Sequence, residues 1–232
     1  MELLRVEGVT KRFGNLVAVD NVSFTTREGE LVAIIGPNGA GKTTLVNLIT
    51  KKLEPDQGRI FFRGMEITRL PAHSIARLGL VRTFQIVSIF PNLTVEENLA
   101  IAALRSNASR SDLERVVEEF KLKEYMGRKA GTLPLGVQKL LELSMSLLLK
   151  PKLLILDEPA AGLGPEDRVS LIETLARLRS QTNILIIEHD MNVVFKLADR
   201  IIVMDKGRIV ADGSPEEIRG NKYVREIYLG EE

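Results

Sequence analysis

Two patterns of hydrophobic and polar residues alternate along the chain and predict an α/β fold. Continuous apolar runs are typical of strands buried on both faces, and they occur at Leu31–Ile35, at residues 152–156 and at Asn183–Ile187. Apolar residues at helical spacing follow the first two runs, over residues 44–53 and 165–181. Because strand, helix and strand in this order form right-handed parallel crossovers, we expect a mostly parallel sheet.

The N-terminal part is predicted to form a separate antiparallel β subdomain. Residues 3–9 and 22–26 are typical of two antiparallel strands, and residues 59–62 and 80–84 of two more strands. Residues 200–204 and 208–211 predict a final strand pair around Lys206 and Gly207.

Residues 86–149 are predicted to form a mostly helical lobe inserted into the α/β core. Capping boxes at residues 94–97 and 111–114 begin two helices that are expected to run to Leu104 and Leu122, and a third helix covers residues 138–149. We therefore expect one domain over residues 1–232, with its core in residues 1–85 and 150–232. Residues 86–93 are apolar, and they form either a groove for a partner helix or part of the interior of the lobe.

A glycine-rich loop separates the strand Leu31–Ile35 from the following helix. Glycines let the backbone turn tightly and aim its N–H groups inward, and the start of the helix adds free N–H groups and a partial positive charge. Such a concavity holds phosphates, so we expect Lys42 to reach the β- and γ-phosphates and the Thr43 hydroxyl to ligate Mg²⁺. The predicted nucleotide-binding residues here are Gly36, Pro37, Asn38, Gly39, Ala40, Gly41, Lys42, Thr43 and Thr44.

Polar residues end three of the predicted strands, at the sheet edge where open α/β sheets bind ligands. Gln85 follows residues 80–84, and Asp157 and Glu158 follow the second apolar run. One of these carboxylates is expected to hold Mg²⁺ through its water shell, while the other orients or deprotonates an attacking water. His189 follows the third run, where it would contact the γ-phosphate or serve only as a loop residue.

Phe13 lies between the first two strands, where its ring is placed either to stack on adenine or to fill the core.

The composition narrows the classes of function. Thirty-two basic and 31 acidic residues give a net charge of +1, so the totals show no broad basic face for nucleic acid. The chain has no cysteine, which excludes disulfides and Cys-ligated zinc and agrees with a reducing cytoplasm. No apolar run is long enough to span a bilayer, so we expect any membrane role to be that of a peripheral subunit.

In combination, these motifs resemble the ATP-binding subunit of an ABC transporter, and the resemblance covers nearly the whole chain. It implies that residues 36–43 are the Walker A loop, that Gln85 is the Q-loop glutamine and that Leu153–Asp157 is the Walker B strand. By the same resemblance Glu158 is the general base, His189 the switch histidine and Phe13 the adenine-stacking aromatic. The branched-chain amino acid importer ATPases are the most similar subgroup, through residues 81–85, 91–99, 157–163 and 227–230, and the urea-type importer ATPases are close to it.

Two departures from the family pattern change what is expected of the dimer. The family signature is Leu-Ser-Gly-Gly-Gln, or Ser-x-Gly-Gln in this subgroup, and it acts on the partner's ATP. In its place stand Leu133, Pro134, Leu135, Gly136 and Val137. Proline supplies neither a hydroxyl nor an N–H, so either one of two ATP sites is weakened or the subgroup tolerates proline here. Gly164 also stands where the wider family usually has Asp, which puts one cross-dimer contact in doubt.

The resemblance implies a cytoplasmic ATPase, peripheral on the inner face of the cell membrane. Such a subunit binds Mg²⁺ and ATP, closes on a second ATPase subunit, and drives import of a small solute, here branched-chain amino acids, through separate permease subunits. It meets the solute-binding protein only indirectly and binds no nucleic acid. Lys42, Gln85, Glu158 and His189 would be its catalytic residues, and Thr43, Gln85 and Asp157 would serve the metal.

Four alternatives remain at this point. Another solute, such as urea, fits the same machinery. A GTPase would need an Asn-Lys-x-Asp motif, which is absent. A non-transport ABC protein acting on DNA or ribosomes would favour tandem cassettes, a coiled coil or a basic face. A non-hydrolysing regulatory module is disfavoured because both Glu158 and His189 are in place.

Overall fold

The computed structural model describes residues 1–83 and 87–229, whose strands form two β-sheets. The strands are β1 (Glu2–Phe13), β2 (Leu16–Arg27), β3 (Leu31–Ile35), β4 (Gln57–Phe62), β5 (Met65–Glu66), β6 (Leu80–Arg82), β7 (Leu153–Asp157), β8 (Asn183–Ile187), β9 (Arg200–Asp205) and β10 (Arg208–Gly213). The helices are α1 (Lys42–Ile49), α2 (Ala72–Arg77), α3 (Val95–Ser106), α4 (Arg110–Glu119), α5 (Leu135–Leu148), α6 (Pro165–Leu178), α7 (Met191–Leu197), α8 (Pro215–Gly220) and α9 (Lys222–Leu229). None of these helices is both long and apolar enough to cross a membrane.

The larger sheet has six strands in the order β10, β9, β3, β8, β7 and β6. Its five strands from β9 to β6 are parallel, and β10 pairs antiparallel with β9 at the edge. All residues of β3 and β7 are buried because helices or the second sheet cover both faces. The predicted mostly parallel sheet is therefore confirmed.

Successive residues of β3 point to opposite faces of this sheet and so join two separate cores. Leu31, Ala33 and Ile35 pack in the core that contains α3, α5 and α6. Val32 and Ile34 pack in the other core, which contains α1 and the N-terminal strands.

The smaller sheet is antiparallel, with strand order β2, β1, β4, β5, as predicted for the N-terminal part. Its first two strands are longer than the predicted residues 3–9 and 22–26. They continue until Phe13 pairs with Leu16 across a two-residue turn. The charged residues Lys11 and Arg12, the first half-buried and the second exposed, lie in this extension, so its sequence lacks the apolar alternation on which the prediction depended.

The helical insertion between β6 and β7 contains α3, α4 and α5. The capping box that begins α3 is confirmed, since the Thr94 hydroxyl accepts from Glu97 N and the Glu97 carboxylate accepts from Thr94 N. The second predicted box, at residues 111–114, is wrong. Ser109 begins α4 instead, because Asp112 stands three residues later and accepts from Ser109 N at 2.9 Å.

Helix boundaries in the insertion also differ from the prediction, and α3 ends at Ser106 instead of Leu104. The helix α4 ends at Glu119 instead of Leu122, and Lys121 has φ of 54°, which a continuing helix does not allow. The helix α5 begins at Leu135, three residues before the predicted start at Gln138. Residues 135–137 therefore form its first turn.

The corrected cap gives a test on the full chain. We expect Ser109→Ala to lower the free energy of unfolding by about 0.5–2 kcal/mol, because the Asp112 N–H at the start of α4 then loses its acceptor, the Ser109 hydroxyl. Ser111→Ala is the matched control and should change it by less than about 0.5 kcal/mol. Urea denaturation measures both variants. A larger loss from Ser111→Ala than from Ser109→Ala would contradict the assignment.

Candidate nucleotide-binding site

The loop between β3 and α1 passes so close to neighbouring backbone that two of its positions accept only glycine. A Cβ atom at Gly36 would lie 2.2 Å from the Met204 carbonyl oxygen of β9. A Cβ atom at Gly41 would lie 2.3 Å from the Ala18 carbonyl oxygen of β2, and Gly41 has φ of 98° as it begins α1. These contacts fix the curve of the loop, and the first N–H groups of α1 remain without partners inside the helix.

Lys42 is the first residue of α1, and its side chain folds back over the loop. Its ammonium Nζ donates to Gly36 O at 2.6 Å and to Pro37 O at 3.0 Å, and the residue is buried. Burial lowers the pKa of Lys42, and the carboxylates of Glu158 and Asp157 oppose this shift. The cation is therefore held inside the loop, near the end of β7.

The neighbouring hydroxyl groups differ in access to solvent. Thr43 is exposed, and Thr44 is half-buried.

A cleft of about 560 Å³ lies over this loop. Its lining is Phe13, Leu16, Val17, Ala18, residues 38–44, Glu158 and Lys206. Phe13 is 47% exposed at the end of β1, so the interpretation of Phe13 as a core residue is wrong. Two larger clefts, of about 720 and 800 Å³, lie elsewhere and contain none of the predicted site residues.

Asp157 is the last residue of β7 and is held by an arginine that the sequence reasoning missed. Arg82 of β6 donates from Nη2 to Asp157 Oδ2 at 2.6 Å, and both side chains are 6% exposed. The other terminal nitrogen of Arg82 donates to Asn47 Oδ1 of α1 at 2.6 Å. Arg82 therefore connects the helix that follows the phosphate loop to the carboxylate at the end of β7. A charged residue in an apolar strand, three positions before Gln85, was the available signal.

Glu158 has a backbone conformation that non-glycine residues rarely adopt. Its φ is 49°, and its N–H donates to Ile187 O of β8 at 2.8 Å. His189 Nδ1 lies 3.9 Å from Glu158 Oε2, too far for a hydrogen bond but close enough for electrostatic interaction. The imidazole is 56% exposed. The structure thus brings Lys42, Asp157, Glu158 and His189 to one edge of the sheet.

Glu188 is a second residue that the sequence reasoning left without a role. Its carboxylate is fully buried and accepts from Ala160 N at 2.8 Å, from His189 N at 2.9 Å and from Asp190 N at 3.1 Å. It therefore fixes the loop that carries His189 against the loop that follows Glu158. Its position directly after a buried strand is the feature of the sequence that could have identified it.

The five signature positions surround the start of α5. Pro134 occupies the N-cap position, and no side chain caps the helix there. Gly136 lies against α6, since a Cβ atom would come within 2.5 Å of Asp167 Oδ1. Leu133, Pro134, Leu135, Gly136 and Val137 are all absent from the lining of the cleft over the phosphate loop.

Part of the predicted site and of the predicted groove lies outside the described residues. Gln85 and Ile86 belong to that part. Of the remaining groove positions, Ile89 is half-buried against the core of the helical insertion, whereas Phe90 is 46% exposed. Ile89 thus agrees with the interpretation as part of the interior, and a groove for a partner helix at Phe90 stays a prediction.

Within residues 1–83 and 87–229, no group of three or more His, Asp and Glu side chains could hold a metal ion. Mg²⁺ does not need such a group, because it retains several waters and takes only one or two carboxylates beside phosphate oxygens. The Asp157 carboxylate and the exposed Thr43 hydroxyl are oxygen ligands of the kind Mg²⁺ prefers, so these residues fit the ion.

Comparison with known proteins agrees with this geometry. The profile of the family described as "ABC transporter" matches residues 19–161, and that of "Branched-chain amino acid ATP-binding cassette transporter" matches residues 208–232. The chain is 44% identical over 250 residues to the high-affinity branched-chain amino acid transport ATP-binding protein BraF of Pseudomonas aeruginosa, covering 99% of this chain and 98% of BraF. It is 42% identical over 250 residues to LivG of Escherichia coli, a protein described in the same words, with the same coverage of both chains.

A solved structure supports the same relationship. The ADP conformation of an ATP-binding cassette of an ABC transporter superposes with a TM-score of 0.89 at 36% identity, covering 100% of both chains. The predicted fold class is therefore confirmed. The chain belongs to the ABC transporter family, and it is an ATP-binding ATPase of that family.

Proposed function

We propose that this chain powers the import of branched-chain amino acids through separate membrane subunits. Its similarity to BraF and LivG extends over 99% of its length, and a branched-chain amino acid transporter profile matches its C-terminal residues 208–232. The observation that carries the ATPase part of the proposal is the convergence of Lys42, Asp157, Glu158 and His189 beside the glycine loop.

The proposed roles in nucleotide binding follow from the positions of the residues. The amides of residues 36–43 and the Lys42 ammonium would bind the phosphates, and the exposed Phe13 ring would stack on adenine. Thr43, Asp157 and Gln85 would hold Mg²⁺, which when bound neutralises charge on the β- and γ-phosphates. Arg82 holds Asp157 in a fixed orientation, because one oxygen of the Asp157 carboxylate accepts a charge-assisted hydrogen bond from the guanidinium.

Hydrolysis itself is assigned to the residues at the ends of β7 and β8. Glu158 would orient the attacking water and accept its proton, since its carboxylate borders the cleft. His189 would contact the γ-phosphate from the loop that Glu188 holds in place.

We propose further that the catalytic unit is a head-to-tail dimer with a second ATPase subunit, either identical or different in sequence. The signature residues Leu133, Pro134, Leu135, Gly136 and Val137 do not line the chain's own cleft, and Pro134 and Leu135 among them are exposed, which supports contact with a partner's ATP. The exposed Phe90 is a contact candidate for the permease subunits. A solute-binding protein would act only indirectly, and no nucleic acid takes part. In this proposal the subunit lies on the cytoplasmic face of the cell membrane.

Transport by the whole complex tests the proposed solute. We expect vesicles containing the permease subunits, both ATPase subunits and the solute-binding protein to accumulate labelled leucine when ATP is supplied. Uptake should fall to background with Lys42→Ala, because the phosphates lose their cation. Labelled urea should not accumulate. Uptake of urea without leucine would replace the proposed solute by the urea alternative.

The general-base assignment predicts a trapped dimer. Glu158→Gln should bind ATP but hydrolyse it at least about tenfold more slowly, because removal of the base blocks the chemical step and leaves the phosphate contacts intact. The ATPase pair should then remain closed during sizing chromatography with Mg²⁺ and ATP. Glu166→Gln, at an exposed position of α6, is the control. Full turnover by Glu158→Gln would show that another group activates the water.

The proline at the start of α5 predicts asymmetry if the partner ATPase has an intact signature. A serine hydroxyl bonded to a phosphate oxygen contributes about 1.5–3 kcal/mol, or roughly 10- to 150-fold in rate if the bond forms mainly in the transition state. Pro134 therefore weakens the site that holds the partner's ATP. Lys42→Ala should remove most hydrolysis, and the equivalent change in the partner only a little.

Pro134→Ser is the matching gain-of-function variant and should raise hydrolysis at the partner's site. Steady-state ATPase rates of the reconstituted pair measure all three variants. Equal losses from the two lysine changes, with no gain from Pro134→Ser, would instead favour the view that the subgroup tolerates proline.

A further inference from the structure

A buried lysine of α5 holds the loop that follows Glu158. Lys139 is 6% exposed, and its Nζ donates to Pro159 O at 2.6 Å and to Ala161 O at 2.7 Å. The carbonyl oxygen of Glu158 itself lies 3.5 Å from the same nitrogen. One ammonium group thus binds three carbonyls within four consecutive residues.

The charge of Lys139 is balanced by carboxylates that approach from different elements. Burial lowers the pKa of Lys139, whereas Glu188, Glu142 and Glu158 raise it. Glu142 lies one turn further along α5, and its Oε1 accepts from Ser88 N at 3.0 Å. The buried face of α5 therefore also contacts the segment that leads from Gln85 into the helical insertion.

The same loop is also bound by Glu188. While Lys139 takes the carbonyl oxygens of Pro159 and Ala161, the Glu188 carboxylate accepts from Ala160 N at 2.8 Å. The polar backbone groups of residues 159–161 are thus divided between a cation of α5 and an anion at the end of β8. Such bonds to charged groups are shorter and stronger than neutral ones. A movement of α5 or of the end of β8 would therefore move this loop.

We propose that Lys139 is a positioning residue that couples the start of α5 to Glu158. This inference rests on the proposed function, in which the start of α5 meets the partner's nucleotide. Lys139 stands three residues after Gly136, and an α-helix is rigid over that distance. A displacement of α5 by the partner's nucleotide is therefore transmitted through Lys139 to residues 158–161, and so to the chain's own general base.

The test replaces the cation by an apolar side chain of similar length. With Lys139→Met in the reconstituted ATPase complex, we expect kcat to fall at least tenfold, while KM for ATP and ATP binding by the isolated chain change less than about twofold. Lys139→Arg keeps the charge and the donors and should restore much of the rate. Lys196→Met, at an exposed position of α7, is the matched control and should behave as wild type.

A second readout follows the loop directly. Hydrogen exchange at residues 159–161 should become faster in Lys139→Met, with the melting temperature and exchange in β3 nearly unchanged. If Lys139→Met does not fold, Lys139→Met combined with Glu142→Gln removes one charge of each sign and carries the same expectations. Failure of both variants to fold would assign Lys139 a purely structural role and overturn the proposal.

The remaining outcomes separate the inference from the proposed function. An active wild-type complex with equally active Lys139→Met overturns the inference alone. Parallel losses of nucleotide binding and kcat, or the absence of any rescue by Lys139→Arg, also overturn it. A wild-type complex that hydrolyses no ATP overturns the proposed function and the inference together.

Discussion

Parallel pairing of β3, β8 and β7 is the constraint on which the site depends. In this register Ile34 of β3 is the partner of Ile187 of β8, and Ile187 is also the partner of Asp157. The three strands therefore end at the same level, and the phosphate loop, the Asp157 and Glu158 carboxylates and the loop of His189 all leave the sheet together. A shift of one residue in either pairing would move a carboxylate or the imidazole to the other face of the sheet.

The parts of the fold that follow from local sequence could be predicted. Buried strands are continuous apolar runs, and a glycine-rich loop between a strand and a helix indicates a phosphate-binding site. The end of the first hairpin could not be predicted in the same way, because the last two residues before Phe13 are charged and interrupt the apolar alternation. The predicted cap of α4 was two residues too late. Ser109 and Ser111 both precede an acidic residue by three positions, and only the structure shows that Ser109 is the N-cap.

The residues that hold the site together were harder to find than those that form it. Arg82 contacts a side chain 75 positions away, and Glu188 contacts a backbone amide 28 positions away. Such contacts leave no periodic pattern, because they depend on which strands become neighbours. What the sequence does show is a charged residue where an apolar one is expected. In an α/β chain with a phosphate loop, such a charged residue indicates a side chain that holds the site residues in position.

Buried charges at these positions serve to orient side chains of the site more than to stabilise the fold. Replacing a buried ion pair by apolar residues is often neutral or stabilising, whereas removing one partner costs about 3–5 kcal/mol. A contribution to the free energy of folding therefore does not account for the pair of Arg82 and Asp157. Its benefit is orientation, since a carboxylate fixed by a guanidinium presents its other oxygen in one direction.

The left-handed backbone of Glu158 has a consequence for how this protein would respond to selection. A side chain at positive φ strains the backbone by about 1 kcal/mol or more relative to glycine. Selection for thermal stability alone would therefore favour glycine at this position, and a variant with glycine there would lack the carboxylate to which we assign the role of general base. Mutant libraries made to raise the thermal stability of this fold should keep residue 158 constant, because stability and the proposed activity favour different amino acids at this position.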